Sequence, residues 1–363
     1  MCKPLTAVSA LLFMLALPAR GQTSNPDSAH LITRDISNFW RAIDHAAGKD
    51  TATLIAAIRR DYLENPSPGM FDWIVNRLIS QDALGRILEV KGWTRDRAVG
   101  AMGASPGTPE RAGFDTVVMP AILANAARNL ALTYLARRRY YDAIRRNTLA
   151  VDTARAVKDS VRAAFRRMSA LYPDAQFADV YFLIGRLSSG GTTGKRAMLI
   201  GTEMNARDAS TPVDELDAWH RAVIGQVDDL PHIVAHELIH TLQGRRTGPH
   251  TLLIDALDEG SADFLSELIS GKRINNPAYA YGDAHETELW AKFRTQMDSS
   301  RTDDWLGQGD RTAPGVPADL GYWMGYKISK AYYDKAANKQ AAVREILLFT
   351  DANFFLRASG YQP

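Results

Sequence analysis

The strongest constraint on this chain is one pentapeptide, H-E-L-I-H at residues 236–240. On a helix, spacing of four places His236 and His240 on one face, one turn apart. The neighbouring residues are mostly apolar, which predicts a buried helix, and two imidazoles and a carboxylate without partners would be costly there. A metal ion bound by both imidazoles would remove that cost. The motif therefore predicts a zinc site, with Glu237 placed to take a proton from a water molecule.

The helix that carries the motif is predicted to run from Pro231 to Leu242. Proline suits a first helical turn, and Gly244 follows the last periodic position. A second helix is predicted from Thr251 to Ser270. Two helices joined by a short turn can pack antiparallel, so residues of the second helix are expected beside the histidines.

A hydrolytic zinc site needs a third protein ligand and an open position. Glu259, on the second predicted helix, is the best candidate for that ligand. Asp263 lies one turn further on and can accept a hydrogen bond from the outer nitrogen of a zinc histidine. Asp255 and Asp258 are weaker alternatives, and any single acid here can also be a solvated helix residue.

The combination of H-E-x-x-H with the later E-x-x-x-D resembles the gluzincin metallopeptidases. The resemblance implies a zincin-like α+β fold, predominantly helical, with a small mixed or antiparallel sheet and the metal between two lobes. It implies that His236, His240 and Glu259 bind Zn²⁺. It also implies that Glu237 activates water and that Asp263 orients a histidine.

A second resemblance covers roughly residues 174–334 and involves a bacterial family of predicted zinc proteases related to the gliding-motility lipoprotein GldB. It is carried, besides the zinc motifs, by Y-F-L-I-G-R at 181–186, S-G-G-T at 189–192, I-G-T-E at 200–203 and G-Y-W-M-G-Y-K-I at 321–328. One departure is that Cys2 precedes the apolar N-terminal run, whereas the lipidated cysteine of a lipoprotein follows it.

Gluzincin chemistry also needs a group that stabilises the oxyanion. Tyr322 and Tyr326, one helical turn apart, are the candidates, and the alternative is that both are core aromatics. Four histidines outside the motif are expected to be surface or packing residues, and His250 is the first of them to test as a ligand. They are His220, His232, His250 and His285.

A small sheet is predicted from two apolar runs, Val180–Gly185 and Ala197–Gly201. They are expected to form a hairpin or a pair of strands. The glycine-rich stretch 188–194 joins them, and its backbone is expected either to approach another group closely or to form a flexible tip. A peptide substrate is expected to add along the edge of residues 197–203. A weaker hypothesis is that Glu203 binds an amine of the substrate.

The first 21 residues read as an export signal. They contain a basic start, an apolar run from Leu5 to Leu17, and A-R-G at 19–21 as a cleavage site that leaves Gln22 first. The alternative, an uncleaved anchor, is disfavoured because the run is shorter than the roughly 20 residues that span a bilayer. The mature chain would contain no cysteine and no transmembrane segment.

The mature chain divides into two regions that differ in sequence pattern. Residues 22–173 read as a helical region, with long helices predicted at Val117–Arg138 and Tyr141–Leu171, and residues 174–363 as the zincin-like domain. In the second region, further helices are predicted to begin near Asp283, with a capping box, and after Pro317.

The charge balance argues against a nucleic-acid partner. Removal of Lys3 and Arg20 reduces the 43 basic residues to 41, which equals the 41 acidic residues. We therefore expect an exported, periplasmic or secreted zinc peptidase that acts on a peptide or protein. The alternatives are a non-catalytic zinc-containing envelope or motility-associated factor and a hydrolase of non-peptide amides. The sequence leaves the oligomeric state open.

Overall fold

A computed structural model describes residues 22–363 apart from 65, 66, 68, 106, 154, 195, 196 and 274–276. The predicted export signal, residues 1–21, lies outside the described residues. The protein is predominantly helical with a small mixed sheet, which confirms the expected α+β class. Within the described part of the chain, no helix combines the length and the apolar character needed to span a bilayer.

The first half of the chain is mostly helical. Its α-helices are α1 (Arg34–His45), α2 (Thr51–Ala57), α3 (Met70–Trp73), α4 (Gln81–Val90), α5 (Arg95–Gly103), α6 (Pro109–Gly113), α7 (Met119–Ala136), α8 (Arg138–Thr153) and α9 (Arg155–Leu171). Three π-helical turns, Ile58–Leu63, Ile74–Leu78 and Phe114–Val118, follow α2, α3 and α6. The helix predicted over Tyr141–Leu171 corresponds to α8 and α9.

The sheet contains β1 (Gln22–Thr23), β2 (Leu31–Ile32), β3 (Phe177–Leu183), β4 (Gly191–Gly194) and β5 (Ala197–Gly201). Strand β3 pairs in parallel with β2 and β5 and antiparallel with β1, and β4 pairs antiparallel with β5. Of the two arrangements expected for the apolar runs, the pair of strands is confirmed and the hairpin is wrong, because these runs are the parallel strands β3 and β5. The glycine-rich connection supplies β4, which forms the hairpin with β5.

The second half continues with eight α-helices among the described residues: α10 (Ala218–Val223), α11 (Leu230–Leu242), α12 (Leu252–Ser270), α13 (Pro277–Ala284), α14 (Glu286–Gln296), α15 (Leu320–Lys335), α16 (Lys339–Leu348) and α17 (Ala352–Ser359). Short 3₁₀ turns lie at Thr202–Asn205 and Val227–Asp229. The helix predicted after Pro317 is α15.

Local chemistry explains the bounds of α11 and α12, which agree with the prediction. Pro231 occupies the first turn of α11. The Thr251 side chain accepts a hydrogen bond from the N–H of Ile254 and caps α12. Gly271 ends α12 in the left-handed conformation, at φ +77°.

The capping box predicted at Asp283 is wrong. Asp283 lies in the last turn of α13, and α14 begins after His285 without a side-chain cap. The Asp283 carboxylate instead accepts a hydrogen bond from the indole N–H of Trp323, at 2.9 Å. Tertiary contact with α15 therefore outweighs the local capping signal.

One continuous hydrophobic core joins the two halves of the chain. Helix α11 lies inside it, packed against α9, α12 and strands β3, β4 and β5. This burial places the histidine-bearing face of α11 between the sheet and α12.

Candidate metal centre

Helices α11 and α12 bring the three predicted ligands together. The Nε2 atoms of His236 and His240 are 3.0 Å apart. Oε2 of Glu259 lies 3.4 Å from Nε2 of His236 and 3.2 Å from Nε2 of His240. Among the described residues, this is the group of histidine, cysteine and acidic side chains whose ligand atoms converge closely enough for one metal ion.

The spacing of these atoms fits a tetrahedral zinc site. Nitrogen and oxygen ligands at about 2.0–2.2 Å from a tetrahedral zinc ion lie about 3.3–3.6 Å from one another. The three distances here are 3.0, 3.2 and 3.4 Å, so small side-chain movements suffice. Two imidazoles and one carboxylate are a donor set that zinc accepts, and they leave a fourth position open.

The three side chains shift one another's pKa values. Burial alone would lower the pKa of both histidines. Hydrogen bonds to Asp263 and Glu259 nevertheless raise the pKa of His236 well above its ordinary value. The charge of Glu259 raises the pKa of His240 to about 9. Burial would raise the pKa of Glu259, but the histidines hold it well below its usual range. The carboxylate and the imidazoles thus attract one another strongly.

Asp263 orients His236 as predicted. Its Oδ1 lies 2.8 Å from Nδ1 of His236, which leaves Nε2 directed at the cluster. The hydroxyl of Tyr279, from α13, donates to Oδ2 of Asp263 at 2.5 Å. The tyrosine holds the carboxylate in place, and the carboxylate in turn fixes the imidazole.

Gln243 gives His240 an equivalent support, which sequence reasoning missed. Its Oε1 lies 2.8 Å from Nδ1 of His240, and its amide nitrogen donates to the Asp258 carbonyl at 2.6 Å. Its position three residues after His240, at the end of α11, is the sequence feature that could have indicated this contact. Asp258, considered as an alternative ligand, pairs with Arg246 at 2.7 Å instead.

Glu237 lies beside the cluster and is 6% exposed. Burial raises the pKa of its carboxyl, and the two neighbouring histidines act in the opposite direction. Strand β4 passes directly over it, since a β carbon at Gly191 would lie 2.5 Å from its Oε1. A side chain at position 191 would thus displace Glu237, which confirms the expected close backbone approach in this stretch.

The two candidate tyrosines have different positions. The Tyr322 ring lies nearly parallel to the His236 imidazole, with centroids 6.3 Å apart. The Tyr326 hydroxyl donates to Oε2 of Glu267 at 2.8 Å, away from the cluster. Tyr326 therefore packs in the α12–α15 contact as a core aromatic, and the prediction that it faces the metal site is wrong.

The α12–α15 contact positions Tyr322 through two glycines. A β carbon at Gly260 would overlap the Tyr326 backbone N, and one at Gly325 would overlap the Ala256 carbonyl oxygen. The helices can cross this closely only because both positions lack side chains. This close crossing brings the first turn of α15 over His236.

Two weaker expectations about the sheet are not met. Strand β5 is paired on both sides, so a peptide cannot add along residues 197–203. Glu203 is fully buried, and its Oε1 accepts from the N–H of Leu187 at 3.2 Å, so it is not available to a substrate amine. Strand β4 is the edge strand next to the metal cluster.

The four remaining candidate histidines contact other groups. His250, between α11 and α12, lies 2.8 Å from the Asp255 carboxylate. The other three bond to hydroxyl, carboxylate or carbonyl oxygens: His220 to Asp217 and Leu187, His232 to Ser266 and Ser270, and His285 to Tyr281. The expectation that these are packing or surface residues is confirmed.

The fold and this cluster define a helical α+β protein with a small mixed sheet and a buried His-His-Glu group on two adjacent helices. The family model described as "Gliding motility protein GldB" matches residues 122–363, more than half of the chain. The chain therefore belongs to this family, and the matched region includes the whole cluster. Comparison with curated proteins and with solved structures found no match.

Proposed function

We propose that this protein is an exported zinc-dependent hydrolase of the gluzincin type that cleaves peptide bonds. The observation that carries the proposal is the convergence of three ligand atoms beside a buried glutamate. His236, His240 and Glu259 would hold the metal, and Glu237 would act as general base. A purely structural zinc site needs no base, and it is usually closed by a fourth protein ligand.

Zinc, when bound, lowers the pKa of water toward about 7 and polarises a carbonyl group. Glu237 accepts a proton from the attacking water and delivers it to the leaving amine, so its raised pKa suits both transfers. Tyr322, stacked beside His236, is the candidate donor to the oxyanion. Asp263 and Gln243 hold the two imidazoles in position.

Strand β4 offers a place for an extended peptide. It pairs with β5 on one side, and no strand among the described residues pairs with its other side. A peptide added there would bond through its backbone to the edge strand. Because Gly191 contacts Glu237, such a peptide would pass close to the general base.

The test compares Glu237→Gln with the wild type for zinc content and for cleavage of a broad peptide library, read by mass spectrometry. Glu237→Gln is expected to keep its zinc and to lose hydrolysis by at least about 100-fold. The control is Glu288→Gln, an exposed glutamate on α14, which should cleave like the wild type. Undiminished cleavage by Glu237→Gln would contradict the proposed role.

The family description favours a second candidate, a motility-associated envelope factor that keeps the zinc site for binding. The same experiment separates the two candidates. A wild-type protein that holds zinc but cleaves no peptide in the library supports the binding role. Cleavage that depends on Glu237 supports the hydrolase.

A further inference from the structure

Arg77 lies on the π-helical turn Ile74–Leu78, in the part of the chain that the family model does not match. The turn packs against the loop that leads into β4. The Arg77 carbonyl accepts hydrogen bonds from the Ser188 hydroxyl at 3.1 Å and from the Arg186 guanidinium at 2.9 Å. The Arg77 backbone is therefore fixed against Ser188, three residues before Gly191, which contacts Glu237. π-helical turns of this kind are frequent at functional sites.

The Arg77 side chain is partly buried, and its Nε atom is shielded from solvent without a hydrogen-bond partner. Among the described residues, no carboxylate forms an ion pair with it. Arg186, which bonds to the same turn, likewise has no carboxylate partner there. Burial of a guanidinium without a direct partner is costly, so the buried Nε donor is left unsatisfied in the free protein.

Arg77 lies near the metal cluster, since its carbonyl bonds to Ser188, three residues before the glycine that contacts Glu237. Burial lowers the pKa of Arg77, and the charges of Glu237, Tyr322 and Glu259 act on it in the opposite direction. These three groups belong to α11, α15 and α12, so Arg77 adds a positive charge near the cluster from the N-terminal region. None of them pairs with the arginine, which leaves its donors for another group.

We propose that Arg77 is a specificity-determining residue that binds a carboxylate of the substrate next to the scissile bond. The proposal rests on the proposed function, because it assumes that a peptide lies in this cleft. The planar guanidinium matches a carboxylate with two parallel hydrogen bonds. The carboxylate belongs either to the C-terminus of the peptide or to an acidic side chain, and both have the same chemistry at the arginine.

The test measures peptide binding by calorimetry to zinc-loaded Glu237→Gln protein, which is not expected to turn the peptides over. The probes are penta-alanine with a free C-terminus, the same peptide amidated, and amidated variants with one alanine replaced by Glu or by Gln. We expect one carboxylate-bearing probe to bind about 10- to 100-fold more tightly than its neutral counterpart. The free C-terminus and the Glu series distinguish the two sources of the carboxylate.

Arg77→Met in the same background is expected to abolish that difference and to leave binding of the neutral probes within about threefold. Arg86→Met, on the exposed face of α4, is the matched control and should keep the difference. Because the Arg77 Nε is buried without a hydrogen-bond partner, Arg77→Met should melt at or near the temperature of the protein that carries Glu237→Gln alone, whereas loss of a structural arginine would lower it.

Equal binding of charged and neutral probes, or a carboxylate preference that survives Arg77→Met, would overturn the proposal. Neither result affects hydrolysis by the wild type, which tests the proposed function separately. Conversely, a wild type that cleaves nothing but shows the Arg77-dependent preference would retain the binding site and contradict the hydrolase.

Discussion

Glu203 lies in an environment that an acidic side chain does not favour. It is fully buried, and its Oε2 has no hydrogen-bond partner among the described residues. Its charge acts on the buried tyrosines Tyr62, Tyr140 and Tyr141, which offer no positive charge. Burial raises the pKa of its carboxyl to about 7, and backbone N–H groups oppose the shift only in part.

This raised pKa predicts a pH-dependent stability. Below about pH 4.5 the carboxyl is protonated in both the folded and the unfolded chain. Between about pH 4.5 and 7 only the folded form keeps its proton, so the free energy of unfolding falls as the pH rises and then levels off. Glu203→Gln removes this contribution, which is on the order of 3 kcal/mol.

The measurement is urea denaturation of wild type and Glu203→Gln at pH 5 and pH 8. The wild type should lose more stability than the variant between these two values. Other acids with raised pKa, such as Asp255, titrate in both proteins and cancel in the difference. Parallel losses in the two proteins would contradict the assignment.

For single residues, the sequence identifies those site residues that lie on one helix or on two helices that follow each other in the chain. His236, His240 and Glu259 follow from helical periodicity, and so does Asp263. Arg77 is distant in sequence from the cluster, and no local pattern marks it. The choice between Tyr322 and Tyr326 likewise depends on how α15 is rotated against α12, which periodicity alone does not determine.

At the scale of elements, the contact between α12 and α15 decides whether the site is assembled. Gly325 lies against the Ala256 carbonyl, and Gly260 lies against the backbone of α15. A methyl group at either position would push the helices apart. Tyr322 would then move away from His236.

Gly325→Ala is therefore expected to destabilise the protein by about 3 kcal/mol, although alanine normally favours a helix. Gly85→Ala on α4 is the control, because a β carbon there meets no atom within 4 Å. That change should stabilise by up to about 1 kcal/mol. Thermal denaturation of both variants is the measurement, and a stabilised Gly325→Ala would contradict the helix crossing described here.

The elements also show where sequence patterns are insufficient. The bounds of α11 and α12 follow from Pro231, Thr251 and Gly271, each of which acts locally. The pairing of β3 with β5 does not, because a parallel or antiparallel arrangement of two apolar runs depends on what lies between them. Here the glycine-rich stretch forms β4, and this places the edge strand beside Glu237.

At the scale of the whole molecule, the N-terminal region supports the sheet through buried hydroxyl groups. Tyr62 donates to the Ile184 carbonyl at 2.6 Å, and Tyr141 donates to the Gly185 carbonyl at 2.8 Å. Strands β1 and β2 cover one edge of β3. The regions before and after residue 173 therefore differ in sequence pattern but share one hydrophobic core.

Residues 174–363 expressed alone are expected not to fold, since removal of the N-terminal region exposes the apolar strands and leaves these carbonyls without partners. Far-UV circular dichroism and a thermal scan would check this, with the chain from Gln22 as control. A soluble fragment with a cooperative transition would instead support an autonomous domain.

The most direct test of the zinc site is elemental analysis of the chain from Gln22, purified without added metal, beside a His236→Ala, His240→Ala double variant. We expect about one zinc ion per chain in the wild type and none in the variant. A wild type without zinc, or equal zinc in both proteins, would contradict the metal centre and with it the proposed hydrolase.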